Sequence, residues 1–229
     1  MTTHFKDFSS ADTKLVKRQT FHVADSSVRP YRDRFKRLFD IAFVIAAAPI
    51  AIPLIGIMLL LAALDGGKPF YRQRRVGKNG RIYKMVKIRT MVMNADQRLE
   101  AYLESNPEAR AEWDSTQKLK NDPRITNIGR FLRKSSMDEL PQLWNVLMGE
   151  MSIVGPRPMM EDQKSLYPGA AYYAMRPGIT GPWQVSDRNE TTFAQRATFD
   201  TKYYYDLTFK KDIEILGKTV GVVLRCTGY

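Results

Sequence analysis

From Ile41 to Leu64 the chain runs IAFVIAAAPIAIPLIGIMLLLAAL without one charge, between Asp40 and Asp65. At about 1.5 Å per residue, a continuous helix of that length matches a bilayer hydrocarbon core of about 30 Å. Two features argue against a straight crossing. Pro49 and Pro53 stand near the middle of the run, where each removes a helix hydrogen bond and crowds the preceding turn, so a bend is predicted. Cations also crowd both flanks: Arg29, Arg32, Arg34, Lys36 and Arg37 before the run, Lys68, Arg72, Arg74, Arg75 and Lys78 after it. The positive-inside tendency keeps both ends cytoplasmic. The expectation is a re-entrant helix that bends at the prolines and returns to the face it entered, provided the freed carbonyls find partners. A kinked span and a buried helix of a soluble domain are the alternatives.

The remainder divides around this segment. Residues 1–30 are polar, rich in Ser, Thr and Asp, and lack any apolar period, so a disordered arm without a signal peptide is expected. Residues 31–66 form the membrane element with its basic flanks, and residues 67–229 a cytoplasmic catalytic domain. With 229 residues there is room for one core, not two. Lys and Arg total 36 against 24 acids, a formal charge of +12, which favours an anionic partner: nucleic acid, anionic lipid or a phosphorylated substrate. Cys226 is alone and makes no intramolecular disulfide. Histidine occurs only at His4 and His22, which excludes a histidine-based triad or imidazole metal site from the folded part. The chemistry must come from carboxylates, arginines and lysines.

The fold class expected is α+β, mainly helical. Gly77-Lys78-Asn79-Gly80 between Phe70-Tyr71 and Ile82–Ile88 signals a small β-hairpin. Ala95 to Gln117 suits two surface helices with a restart at Asn106-Pro107. Ser135 to Met148 reads as one helix, Val154 to Gly181 as ordered loop, and Thr192–Asp206 and Asp212–Arg225 as helices. In the last of these, Ile213, Leu216, Val220 and Val223 form an apolar stripe suited to a membrane interface or a core.

Within Ser135–Met148, Leu140, Leu143, Trp144 and Leu147 share a helical face. Two starts compete: Ser136 capping with Glu139 as its box partner, or Asp138 capping with Pro141 in the first turn, and the proline favours the second. In either, Asp138 and Glu139 meet the positive end of the helix dipole with Arg133 and Lys134 upstream, and both pKa values are expected to fall. Such a pair suits capping alone, or a nucleophile toward phosphorus with a neighbour that holds Mg²⁺. Downstream, Gly155-Pro156-Arg157-Pro158 and Arg176-Pro177-Gly178-Ile179-Thr180-Gly181 brace arginines with prolines, either to present them to phosphate or to build a tight loop.

Taken together, Arg34–Asp40, the bent apolar run, Tyr71–Gly77, Lys87-Ile-Arg89-Thr-Met91, Asn121-Asp-Pro-Arg124-Ile-Thr126, Met137-Asp138-Glu139-Leu-Pro-Gln-Leu and the two arginine loops resemble the bacterial sugar transferase family. These are monotopic polyprenyl-phosphate phosphoglycosyl transferases, and the likeness extends over about Arg34 to Val223. It implies a two-step reaction at the cytoplasmic face of the bacterial inner membrane. Asp138 would attack the β-phosphate of a UDP-hexose, galactose or glucose, releasing UMP, and polyprenyl phosphate would accept the phosphosugar. It further implies Glu139 on Mg²⁺, Arg133 on phosphate, and Arg157 on the diphosphate or uracil. Lys87 and Arg89 would lie on a basic strand before the site, with Arg176, Thr180, Arg188 and Asp200 as further substrate contacts. Anionic membrane lipid is a partner the basic flanks suggest, and a homodimer is left open.

A rival reading is a nonenzymatic, membrane-tethered basic module that recruits a partner. It accounts for the charge and the apolar run but not for an acid pair alongside two braced arginines. No nucleic-acid recognition motif is present, so nucleic acid is not expected as a partner.

Overall fold

A computed structural model describes residues 29–116, 119–186 and 193–224. The polar arm as far as residue 28, Arg188 and Cys226 lie outside the described residues.

A π-helical turn, Tyr31–Phe35, leads into α1, Lys36–Leu64, one helix that contains Pro49 and Pro53. Its buried residues, Lys36, Asp40, Val44, Ala51, Met58 and Ala62, recur at intervals of mostly four and seven and so form one narrow seam. Ile45, Ile50, Ile52, Ile57, Leu60 and Leu64 stay exposed. Tyr31–Leu64 is the one helix among the described residues long and apolar enough to cross a membrane. Both ends of the seam meet the rest of the fold. Val44 joins a core with Met85, Val146, Ile153, Tyr203 and Ile215, whereas Met58 and Ala62 pack with Ile88 and Leu132.

The expected hairpin is present: β1, Phe70–Val76, pairs antiparallel with β2, Ile82–Ile88, in a register that sets Phe70 opposite Ile88 and Val76 opposite Ile82. Its turn holds Asn79 and Gly80 at φ 58° and 73°, the left-handed region that Asn and Gly tolerate best. Two helices, α2 (Ala95–Ser105) and α3 (Pro107–Thr116), divide at Asn106 as expected.

The next stretch differs from expectation. A helix not anticipated, α4 (Asn127–Lys134), is capped by the Thr126 hydroxyl, which accepts from Gly129 N at 2.9 Å. The chain then reverses at Ser136 and makes one 3₁₀ turn, Met137–Glu139, before α5, Gln142–Leu147. Ser135–Met148 is therefore two elements, and Asp138 is not a helix cap: Pro141 occupies that position. Left-handed backbone at Ser136 (φ 56°) interrupts any helix begun earlier. The buried face of α5 is Gln142, Asn145 and Val146, while Trp144 is 58% exposed and Leu143 and Leu147 only partly covered.

Val154–Gly181 is also more ordered than a loop. It contains a 3₁₀ turn (Asp162–Leu166) and α6 (Ala171–Ala174), and its ends build a two-stranded parallel sheet from β3 (Ser152–Val154) and β4 (Gly178–Thr180). The strands escape notice because each has three residues, too few for a period to show. The two arginine loops cross there: Gly155 N donates to Thr180 O at 2.9 Å and Gly178 N to Pro156 O at 2.8 Å. A Cβ on Gly181 would lie 1.9 Å from Gly155 O, so this approach demands glycine. Finally α7, Arg196–Asp206, and α8, Phe209–Leu224, close the fold. On α8 the buried apolar residue is Ile215, and Ile213, Val220 and Val223 are exposed.

Candidate active site

Local geometry explains how the acid pair is presented. Asn145 of α5 donates to Lys84 O (2.9 Å) and accepts from Val86 N (3.0 Å), taking the place of a third strand along β2. At the other end of α5, Arg37 of α1 donates to Leu147 O at 2.8 Å. The turn Met137–Glu139 is thus held between α4 and the hairpin. Lys87 of β2 reaches it, its Nζ 2.6 Å from Glu139 Oε1 and 3.8 Å from Asp138 Oδ2. Arg133 stands alongside, donating from Nε to Thr90 Oγ1 at 2.9 Å.

The two carboxylates are driven apart electrostatically. Asp138 is 8% exposed. Burial pushes its pKa up to about 6, and the neighbouring Glu139 charge adds to this against the pull of Lys87 and Arg133. The expected fall is therefore overturned for Asp138, because it lies on a buried turn with no helix dipole of its own. For Glu139 the fall holds: burial opposes ionisation, but the charges of Lys87 and Arg157 and the lysine hydrogen bond outweigh it. Pairs of carboxyl groups with separated pKa values are a common sign of divided chemical roles.

Both acids line a cavity of about 1220 Å³. Its cationic lining is Lys87, Arg89, Arg124, Arg133 and Arg157, and its apolar lining includes Phe43, Ala47, Ile50, Ala51 and Leu54 of α1, with Leu143, Leu216 and Val223. Of the residues expected at the site, the structure brings together Asp138, Glu139, Lys87, Arg133, Arg157 and Thr180, whose hydroxyl lies 2.7 Å from that of Thr219 on α8. Arg89 borders the cavity but donates to Ala62 O and Lys68 O at 2.8 Å each, fastening the end of α1. Arg176 stands elsewhere, donating to Gly149 O at 2.8 Å, and its loop acts as the seat for the Arg157 loop. Asp200 is separated from the acid pair and borders a second, much smaller cavity.

Arg124 has no role legible in the sequence beyond the Asp-Pro-Arg spacing, and its guanidinium forks onto Asp122 (2.6 and 2.8 Å) and lies 5.1 Å from the Trp113 ring centre. None is legible for Gln184, which lines the main cavity, or for Arg196 beside Asp200. No group of three or more His, Cys, Asp or Glu that could hold a metal is found among the described residues.

The cavity thus combines two acids and several cations with apolar side chains of a membrane-length helix. The chain belongs to the bacterial sugar transferase family, whose model matches residues 31–226. It is 47% identical over 206 residues to a UDP-galactose-lipid carrier transferase of Erwinia amylovora, covering 89% of this chain and 43% of that protein. It is 46% identical over 205 residues to the exopolysaccharide production protein ExoY of Rhizobium meliloti, covering 88% and 91% of the two chains. An undecaprenyl-phosphate galactose phosphotransferase of Salmonella typhimurium is 49% identical over 195 residues, 84% of this chain and 41% of that one. The chain thus spans less than half of two of these relatives and nearly all of the third.

Proposed function

We propose that this protein transfers hexose-1-phosphate from a UDP-hexose to polyprenyl phosphate, the first membrane step of exopolysaccharide synthesis. The observation that carries the proposal is the acid pair itself, set among Lys87, Arg133 and Arg157 in a cavity that apolar residues of α1 also line. In the first step an ionised Asp138 oxygen bonds to the β-phosphorus, the bond from that phosphorus to the bridging oxygen breaks, and UMP leaves with the electron pair. In the second, an ionised oxygen of polyprenyl phosphate bonds to the same phosphorus and Asp138 departs, restoring the enzyme. Lys87, Arg133 and Arg157 offset the charge of the diphosphate throughout.

The donor set fits Mg²⁺, which is commonly held by one or two carboxylates together with substrate phosphates. Glu139, ionised and on the cavity wall, would hold it. When bound, the ion screens phosphate charge from the incoming carboxylate.

The same reading places α1 as a re-entrant element in the inner membrane, bent at Pro49 and Pro53, with residues 67–229 at the cytoplasmic face. Support comes from the two ends of α1, which are fastened to the same domain: Asp40 accepts from Ile153 N at 3.1 Å, and Ala62 O accepts from Arg89. A straight span would carry one of these ends away.

The deciding experiment incubates the protein with UDP-galactose or UDP-glucose and Mg²⁺, without acceptor. One equivalent of UMP and a hexose-phosphate adduct on the Asp138 peptide are expected, with steady turnover on adding polyprenyl phosphate and none in excess chelator. Turnover that requires both substrates, with no adduct, would mean direct transfer. No UMP at all would favour the recruitment module. Cysteines introduced at Ser10 and Asn189 should both resist an impermeant reagent in intact cells, and labelling of only one would establish a true span.

A further inference from the structure

Arg157 forms part of the wall between the acid-pair cavity and a second cavity of about 10 Å³. No salt bridge within 4 Å holds Arg157 among the described residues. Its guanidinium lies instead 5.6 Å from the centre of the Trp183 ring. The same ring carries a second guanidinium, Arg196, at 4.0 Å, which also approaches Phe193 at 4.7 Å. Two cations on one indole attract the ring and repel each other. Burial first, and Arg157 next, draw the Arg196 pKa down to about 10.

A carboxyl near Arg196, that of Asp200, offsets part of that repulsion when ionised, although burial pushes its own pKa up to about 7. Asp200 is 2% exposed and accepts from the Tyr167 hydroxyl at 2.5 Å through Oδ2. Its Oδ1 and Arg196 Nε are both buried without a hydrogen-bond partner, and both residues border the second cavity. Asp200 therefore faces Arg196 and not the acid pair. The neighbours follow one another as Tyr167, Asp200, Arg196, Trp183 and Arg157.

We propose that Asp200, Arg196 and Trp183 are positioning residues that set the Arg157 guanidinium against the diphosphate of the nucleotide-sugar. Asp200 offsets part of the Arg196 charge, Arg196 holds the indole, and the indole supports Arg157 without pairing it to an acid, which leaves its donors for phosphate. This inference rests on the transferase reading and reassigns Asp200 from substrate contact to support.

The test measures UMP release kinetics and, separately, UDP binding by calorimetry. Variants are Trp183→Phe, Trp183→Leu and Asp200→Asn, each alone and combined with Arg157→Ala, after thermal melts confirm folding. Loss of the cation–aromatic contact in Trp183→Leu is expected to raise KM for UDP-hexose about tenfold with kcat within about threefold. The KM for polyprenyl phosphate should not move. Trp183→Phe keeps an aromatic face and should retain most of the affinity, and Asp200→Asn should act like Trp183→Leu more weakly. In the Arg157→Ala background none of the three should weaken UDP binding further. Multiplicative losses in that background, or Phe as damaging as Leu, would overturn the inference. If Asp200→Asn does not fold, the two Trp183 variants decide. Arg157-dependent UDP binding with multiplicative losses refutes the positioning chain alone, whereas a folded wild type that neither binds UDP nor releases UMP refutes the transferase reading.

Discussion

Asp40 and Asp212 are fully buried, and Asp138 nearly so, yet the surroundings of the two acid pairs differ in kind. Lys36 Nζ lies 2.9 Å from both Asp40 and Asp212. Ser152 Oγ and Ile153 N donate to Asp40 at 2.9 and 3.1 Å, and the Tyr31 and Tyr203 hydroxyls donate to Asp212. Burial, followed by the Asp212 hydrogen bond and charge, holds the Tyr31 hydroxyl well above its ordinary range, so it remains a donor. This cluster ties α1, β3, α7 and α8 together, and neither Asp40 nor Asp212 lines the main cavity. Asp138, by contrast, has Lys87 only at 3.8 Å, a raised pKa and an open cavity before it. Asp212 and the Oδ1 of Asp40 are held by several donors, though Asp40 Oδ2 has none, and carboxylates so held act as fasteners; Asp138 instead combines a raised pKa with access to a cavity, as the proposed nucleophile needs.

The sharpest test of this contrast is Asp138→Asn. Transfer should fall by several orders of magnitude, since loss of a general acid or base alone typically costs about 10²- to 10⁴-fold and here the proposed bond-forming atom is removed. Stability should move the other way. The folded pKa of about 6 exceeds the ordinary 3.8, so the folded state binds the proton more tightly, and that advantage is lost as pH rises through about 6. The variant escapes this loss, with a gain of up to roughly 2–3 kcal/mol at pH 8 and little at pH 4. Thermal melts at both pH values check it. A variant less stable than wild type at pH 8 would show that Asp138 is a fastener too.

Lys36→Met reads the other pair. Removing the one cation leaves two buried carboxylates without it, a change that typically costs about 3–5 kcal/mol. Denaturant titration should show that loss, while any protein that remains folded keeps its KM for UDP-hexose. Near-normal stability with a changed KM would reverse the roles assigned to the pairs.

A smaller effect is expected in the pH profile. In the proposed mechanism Asp138 attacks in its ionised form, so kcat/KM should decline as pH falls through about 6. Lys87→Met removes the largest charge favouring ionisation of Asp138, so the acidic limb should move to higher pH. An unmoved limb would mean that another group controls it.

Much of this was legible in the chain. The uncharged run, its two prolines and the hairpin signal at Gly77–Gly80 depend on neighbours a few residues apart, and local sterics and periodicity decide them. The same is true of the acid pair as a candidate and of the division of α2 from α3. The likeness to a transferase family was readable because its motifs occur in order along nearly the whole chain. What the chain could not reveal depends on groups distant in sequence. Asp138 and Lys87 meet only when β2 packs beneath the turn, and the direction of the Asp138 pKa follows from how deeply that packing buries it. Arg157 and Arg176 look alike in sequence, each braced by proline, but the crossing of their loops turns one toward the cavity and the other onto Gly149 O. Lys36, Asp40 and Asp212 carry no joint signal in sequence because their partnership spans most of the chain. Local steric preference selects the elements, whereas desolvation and charge act through space, so the chemistry of each acid was decided by tertiary structure alone.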